Sequence, residues 1–381
     1  MFDDDIVPFQ VDIPQAQLND LRKRLNETRW PAQVPGVGWN RGVPLDYLRE
    51  LAGYWAERFD WRSWEKRLNA YPQYTTVIDG ARVHFLHIRS RRSDATPMIM
   101  LHGWPGSVLE FIDVIEPLTD PEDGGPAFHL IIPSHPNFGF SGPAPHAGWD
   151  SDRTARAYVE LMVRLGYPRY AVQGGDFGAF IGPDMARVDT DHVIGVHVNA
   201  ATMGFIPYGP VPDEVAETLT DLERSKLDLL AAFLSDGSGY FQIQGTRPHT
   251  LGFSLADSPA GQLAWIVEKF HDWTGNEGSS LEDRVDRDHM LADISIYWFT
   301  NTGSSSAQMY YESLHSNNQP ILSSTPTAVA NFPADPAIRR YAEQLHTIVR
   351  WTEFDRGGHF AAMQTPDLLV ADIRAFFHEL G

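Results

Sequence analysis

Gly174-Gly175-Asp176-Phe177-Gly178, preceded by the apolar run Tyr170-Ala171-Val172, decides how the rest of the chain is read. Small residues on both flanks let the backbone reverse sharply between a strand and a helix, leaving the central side chain exposed at the corner. A serine at such a corner has to lose a proton before it can attack. An aspartate, with a reference pKa near ~3.9, is already an anion at neutral pH. It can attack an electrophilic sp3 carbon directly and become an alkyl ester. The plain alternative is a glycine-rich turn with a capping aspartate, and the surroundings decide between the two.

On either side of the turn, brief apolar runs alternate with helical stretches. Met98-Ile99-Met100-Leu101 and Phe128-His129-Leu130-Ile131-Ile132 read as strands, and residues 151–166 as a helix. Residues 170–173 read as the strand before the corner, 179–188 as the helix after it, and Val193 to Val198 as the next strand. Thr327-Ala328-Val329-Ala330 and Ile348-Val349-Arg350-Trp351 resume the pattern, and a helix from Pro366 to Leu380 closes it. The alternation implies an α/β fold with a mostly parallel sheet covered by helices on both faces. Between 203 and 318 the strand signal fades and helical, glycine and aromatic stretches mix, which marks an insertion.

Ahead of this core, Leu18, Leu21 and Leu25 follow Ile13-Pro14 at helical spacing, and Leu45, Leu48, Leu51 and Trp55 make a second apolar stripe. Trp61, Trp64 and Leu68 suggest a third. Trp30 to Pro44 is rich in Pro, Gly and Trp and reads as a meander. Residues 73–89 then read as a hairpin turning at Asp79-Gly80. The expected organisation is therefore an extension with the first hairpin (1–95), a first part of the core (96–202), a lid insertion (203–318) and a second part of the core (319–381). The extension carries no expected catalytic residue, only a role in bracing or covering the site.

At 381 residues, 43% hydrophobic and 21% charged, the chain has an ordinary globular balance. Its 30 basic and 50 acidic side chains give a net charge of −20, which disfavours nucleic acid and anionic membrane surfaces as partners. No cysteine is present, which removes thiol nucleophiles, disulfides and Cys-ligated metal and fits a reducing cytoplasm. The acidic start Met1-Phe2-Asp3-Asp4-Asp5 is followed by no long apolar segment, so neither a signal peptide nor a membrane anchor is expected.

Gly357-Gly358-His359-Phe360 lies after the last strand and before the last helix. The α/β-hydrolase order of nucleophile, acid and histidine singles out His359 among 15 histidines, because His346 precedes that strand and His378 lies in the closing helix. The acid is expected after the preceding strand. Asp335 stands there, with room for a helix and a strand before His359, while Glu353 and Asp355 are nearer in sequence and stay second choices. Asp335 before Pro336 also suits a helix N-cap. The loop His102-Gly103-Trp104-Pro105 follows an early strand, so the amides of Trp104 and Phe177 are the expected oxyanion donors, with a cis Trp104-Pro105 bond. His102 is expected to hold that loop rather than react.

Together these stretches resemble the α/β-hydrolase-fold epoxide hydrolases of the microsomal type, which carry an N-terminal extension. The resemblance spans nearly the whole chain. It rests on Thr28-Arg29-Trp30-Pro31, Phe59-Asp60-Trp61-Arg62, Tyr71-Pro72-Gln73, Ile78-Asp79-Gly80 and Val83-His84-Phe85 in the extension, and on HGWPGS, PNFGFS, GGDFG and RGGHFAAM in the core. Membrane-bound relatives carry a hydrophobic anchor, and from its start at the extension a soluble enzyme is expected here.

The resemblance implies two lid tyrosines that hydrogen-bond the epoxide oxygen, matched here by Tyr240 in Ser238-Gly239-Tyr240-Phe241 and by Tyr310 in Gln308-Met309-Tyr310-Tyr311, with Tyr311 as the neighbouring alternative. It implies a vicinal diol made by way of an ester on Asp176, with His359, oriented by Asp335, activating water, and no cofactor or metal. A haloalkane dehalogenase shares the nucleophile and the base, and a noncatalytic ligand-binding relative shares the fold. Phe241, Phe253, Trp265, Trp273, Tyr297 and Trp298 point to a bulky or aryl small-molecule epoxide. Detoxification and antibiotic biosynthesis of the enediyne kind are the roles such bacterial proteins have, and a homodimer is one expected assembly.

Overall fold

The computed structural model describes residues 6–207, 209–275, 280–318 and 321–381; the acidic residues at the start of the chain lie outside them. The strands are β1 (Val7–Phe9), β2 (Gln73–Ile78), β3 (Ala81–Ile88), β4 (Thr96–Leu101), β5 (Phe128–Pro133), β6 (Tyr170–Gly175), β7 (Val193–Asn199), β8 (Ser323–Asn331) and β9 (His346–Glu353). They form a nine-stranded sheet in the order β1-β2-β3-β5-β4-β6-β7-β8-β9. β1, β2, β3 and β5 pair antiparallel, and from β5 to β9 every pairing is parallel. The α/β expectation holds.

Alternation along single strands builds the two layers of core. In β4, Met98 and Met100 pack into one buried cluster with Ala171, Ala328 and Ala330. Ile99 and Leu101 turn to the other with Val172, Val196 and Val198. Successive side chains of a strand point to opposite faces, so a strand covered on both sides is apolar throughout. Each such side chain contributes roughly 1.5–3 kcal/mol through burial.

The hairpin turns where expected, with Asp79 at φ 50° and Gly80 at φ 78°. Both are left-handed, as a two-residue hairpin of the favoured twist requires. β1 is an addition that periodicity does not reveal. It is three residues long, with a proline at its centre that a sheet edge tolerates because the missing N–H faces no partner.

The extension supplies helices α1 (Gln15–Asn26), α2 (Leu45–Glu57) and α3 (Trp61–Leu68). The core is flanked by α4 (Ser151–Arg164) and by α5 (Gly178–Val188), which follows β6. Between β7 and β8 run α6 (Asp221–Ala232), α7 (Gly239–Thr246), α8 (Pro259–Trp273), α9 (Arg287–Thr300) and α10 (Gly303–His315). The closing helix is α11 (Pro366–Glu379).

The extension grips the inserted helices through side chains. Tyr54 donates its hydroxyl to Asp288 at 2.8 Å, Tyr47 to Glu282 at 3.0 Å, and the indole N–H of Trp55 to Ser295 at 3.0 Å. Trp39 stacks on His271 with ring centres 3.8 Å apart. No described helix is long and apolar enough to cross a membrane.

Candidate active site

β6 ends at Gly175 and α5 begins at Gly178, which leaves Asp176 and Phe177 to make the corner. Asp176 has φ 55°, a left-handed backbone that costs a residue with a side chain roughly 1–3 kcal/mol. Crowding explains the glycines nearby. A Cβ on Gly178 would run into the carbonyl oxygen of Leu101 at the end of β4, and one on Gly103 into the Asp176 side chain itself. The loop after β4 therefore lies directly against the carboxylate.

That closeness lets backbone amides hold the acid. The Trp104 N–H donates to Asp176 Oδ1 at 3.0 Å, and the Phe177 amide acts on the same carboxylate. The Trp104–Pro105 peptide is cis. Burial pushes the Asp176 carboxyl up to about 6 in spite of both amides, which oppose the shift. It is still largely ionised at pH 7. His102 is buried and ties the loop down, its Nδ1 sharing a hydrogen bond with the Gly103 carbonyl at 2.9 Å.

His359 lies on the loop after β9. Its backbone N–H donates to the Trp273 carbonyl at 2.9 Å, and the Trp273 ring centre is 4.7 Å from the imidazole. The imidazole Nε2 stands 3.6 Å from Asp176 Oδ2. Burial lowers the His359 pKa to about 3, so the ring is neutral and able to take a proton.

Asp335 is 2% exposed in the turn after β8, where its Oδ2 accepts from the Phe332 N–H at 3.0 Å. It caps no helix: the next helical turn starts at Arg339, behind Ile338. Burial pushes its carboxyl up to about 6, against the pull of the Phe332 amide and Lys226. Among the described residues no hydrogen bond or ion pair joins Asp335 to His359. Glu353, the alternative, accepts from Asn331 at 2.9 Å and from the Trp351 indole at 2.7 Å, and is turned to that neighbourhood instead.

From above, α7 brings Tyr240 and α10 brings Tyr310. The Tyr240 ring stacks on Trp104 at 5.2 Å, and the Tyr310 ring meets Phe177 edge-on at 4.7 Å, so each packs against one of the residues whose amide holds Asp176. The two phenol rings are 5.9 Å apart and nearly perpendicular. Burial raises both pKa values, with the charge of Asp176 adding to the rise in each. The Tyr310 hydroxyl is buried beside that of Tyr240, and each phenol acts on the other. Tyr311 is half-buried and stacks on His315 at 4.0 Å, away from the acid.

The aromatic residues named from the sequence separate here. Phe241 and Trp273 touch the tyrosines, and the Tyr297 hydroxyl donates to the Gly106 carbonyl at 2.7 Å. Phe253 is 80% exposed and lines nothing. Sequence reasoning missed Lys226, a buried lysine on α6 that donates to the carbonyls of Asp335 at 2.6 Å and Phe332 at 3.2 Å. It also missed Glu110 and Asp293, buried near the loop after β4. Burial pushes Asp293 up to about 8 and moves Glu110 in the same direction, Asp293 and Asp176 adding to the latter. One Lys, Glu or Asp on an amphipathic stretch carries no signal that sets it apart.

Residues 6–111 match the family model described as epoxide hydrolase N terminus, and residues 96–227 match alpha/beta hydrolase fold. The chain is 35% identical to Epoxide hydrolase 1 of Sus scrofa, over 98% of this chain and 89% of that protein. The crystal structure of juvenile hormone epoxide hydrolase from the silkworm Bombyx mori superposes with a TM-score of 0.89 at 32% identity, covering 100% of this chain and 95% of that one. The structure of Aspergillus niger epoxide hydrolase gives 0.85 at 31%, covering 100% and 99%.

Proposed function

This chain belongs to the epoxide hydrolases of the α/β-hydrolase fold, and we propose that it opens its substrate through an ester on Asp176. Oδ2 forms a bond to a ring carbon, and the ring C–O bond breaks with its electron pair going to oxygen. Tyr240 and Tyr310 donate hydrogen bonds to that oxygen as it charges, and one phenol proton passes to it, to be replaced from solvent. His359 then takes a proton from water. The resulting hydroxide adds to the ester carbonyl, whose oxygen is met by the Trp104 and Phe177 amides. Collapse releases the vicinal diol, with the His359 proton going to the departing oxygen; the acid left on Asp176 gives its proton to solvent, balancing the one that reprotonated the phenol, and the carboxylate is restored.

The observation that carries this reading is the convergence of two phenols on the two residues that hold the nucleophile. Phenols placed to protonate an oxygen serve epoxide opening, whereas a leaving halide needs no proton. Asp335 remains the proposed partner of His359, on the strength of its buried position after β8. A bulky or aryl epoxide suits walls made of Trp104, Phe177, Phe241 and Trp273. The chain's lack of cysteine supports a cytoplasmic setting, where detoxification or antibiotic biosynthesis are the roles such an activity serves.

One turnover of styrene oxide in heavy-oxygen water tests the scheme. The label is expected in the Asp176 carboxylate and absent from the first diol released; a labelled first diol means that water attacked the epoxide directly.

A further inference from the structure

Lys269, on α8, is 2% exposed, and its ammonium lies over the Tyr240 ring, 4.7 Å from the centroid. The same ammonium is 5.8 Å from the Trp273 ring centre. It pairs with Glu268 at 2.6 Å and reaches Asp272 at 3.7 Å. Those carboxylates are 33% and 42% exposed against 3% for the lysine side chain, so they sit on its solvent side. The cation is thus held from outside and presented inward to an aromatic face. A lysine is almost never buried without a reason of this kind.

The face of a phenol ring carries negative charge, and that charge grows as the hydroxyl gives up its proton. A cation fixed over the ring is therefore attracted more strongly to the proton-donating state than to the resting one. Stronger interaction in the transition state than in the ground state is what accelerates a step. The other groups acting on the Tyr240 hydroxyl are the Asp176 carboxylate, which opposes loss of its proton, and Tyr310. As Asp176 becomes an ester its charge passes to the epoxide oxygen, which draws the Tyr240 proton, and the Lys269 ammonium favours the charge left on the ring.

We propose that Lys269 is a positioning residue for epoxide opening, holding Tyr240 in place and strengthening it as the donor to the departing oxygen. This rests on the assignment of Tyr240 made above. Lys269 acts through the ring and touches no reacting atom.

Single-turnover kinetics with styrene oxide, following ester formation and ester hydrolysis separately by quenched mass analysis, tests it. Lys269→Met is expected to slow ester formation about tenfold, the scale of a desolvated cation over a ring, and to leave ester hydrolysis unchanged. Lys269→Arg keeps charge and face contact and is expected to restore ester formation to within about twofold of the parent. In a Tyr240→Phe background, Lys269→Met is expected to have no further effect, since the proton whose loss it assists is gone. Normal ester formation in Lys269→Met beside a slow Tyr240→Phe overturns the role of Lys269 while leaving Tyr240 as donor. Normal ester formation in Tyr240→Phe itself removes the donor assignment and this inference with it. If Lys269→Met yields no folded protein, Lys269→Arg decides alone, and a tenfold loss in that variant overturns the proposal.

Discussion

The Nε2 of His359 lies 3.6 Å from Oδ2 of Asp176, while Oδ1 of the same carboxylate is held by the Trp104 amide at 3.0 Å. One oxygen is anchored and the other is loose. A separation of 3.6 Å is too long for a hydrogen bond, so the imidazole leaves Oδ2 unencumbered, as the proposed attack by that oxygen requires.

His359→Gln should therefore form the ester at close to the normal rate and fail to hydrolyse it. Intact-protein mass spectrometry after mixing with styrene oxide is expected to show a species heavier by one substrate. Hydrolysis should slow by about 10²–10⁴, the range for loss of a positioned base.

The acid limb of kcat/KM should follow Asp176. Its folded pKa of about 6 means the nucleophile is protonated as pH falls, so rates should drop tenfold per unit below that value. His359, lowered to about 3, stays neutral through this range and adds no limb of its own. A pH profile of ester formation from 4 to 8 measures this.

The same burial has a cost in stability. Asp176 binds its proton more tightly folded (about 6) than an ordinary aspartate does (3.8), so the folded state loses stability as pH rises between those values. The penalty is absent below them and full above them. Asp176→Asn should abolish early turnover and, at pH 7–8, raise unfolding free energy by about 2–3 kcal/mol, an advantage that fades as pH approaches 4. Urea unfolding at several pH values reads it, with mass analysis to detect an amide that has hydrolysed itself back to Asp.

Tyr310→Phe should separate activity from stability in a similar way. The hydroxyl is buried beside that of Tyr240, so its removal is expected to change stability by no more than about 1 kcal/mol in either direction. Ester formation should fall by about 10²-fold through loss of a donor to the developing charge. Tyr311→Phe should change neither. Thermal unfolding and single-turnover rates on the two variants give both readouts.

Strand alternation, the glycine-flanked corner and the order of Asp176 and His359 were legible because each leaves a periodic or compositional trace. Tyr310 and Tyr311 could not be ranked from residues alone: neighbours on a helix point about 100° apart, and only packing tells which one faces inward. Asp335 shows the limit most clearly. Its place in the loop after β8 follows from spacing, but the direction of its carboxylate is set by the Phe332 amide, a contact that no pattern of residue types encodes. β1 was missed because a three-residue edge strand is too brief for a period to register.

The extension's side chains reach the inserted helices at Glu282, Asp288 and Ser295, and Lys226 is pinned on carbonyls at the far side. The inserted helices are thus tied to the extension on one side and to the turn after β8 on the other, and their displacement as one body would cost all of these contacts at once.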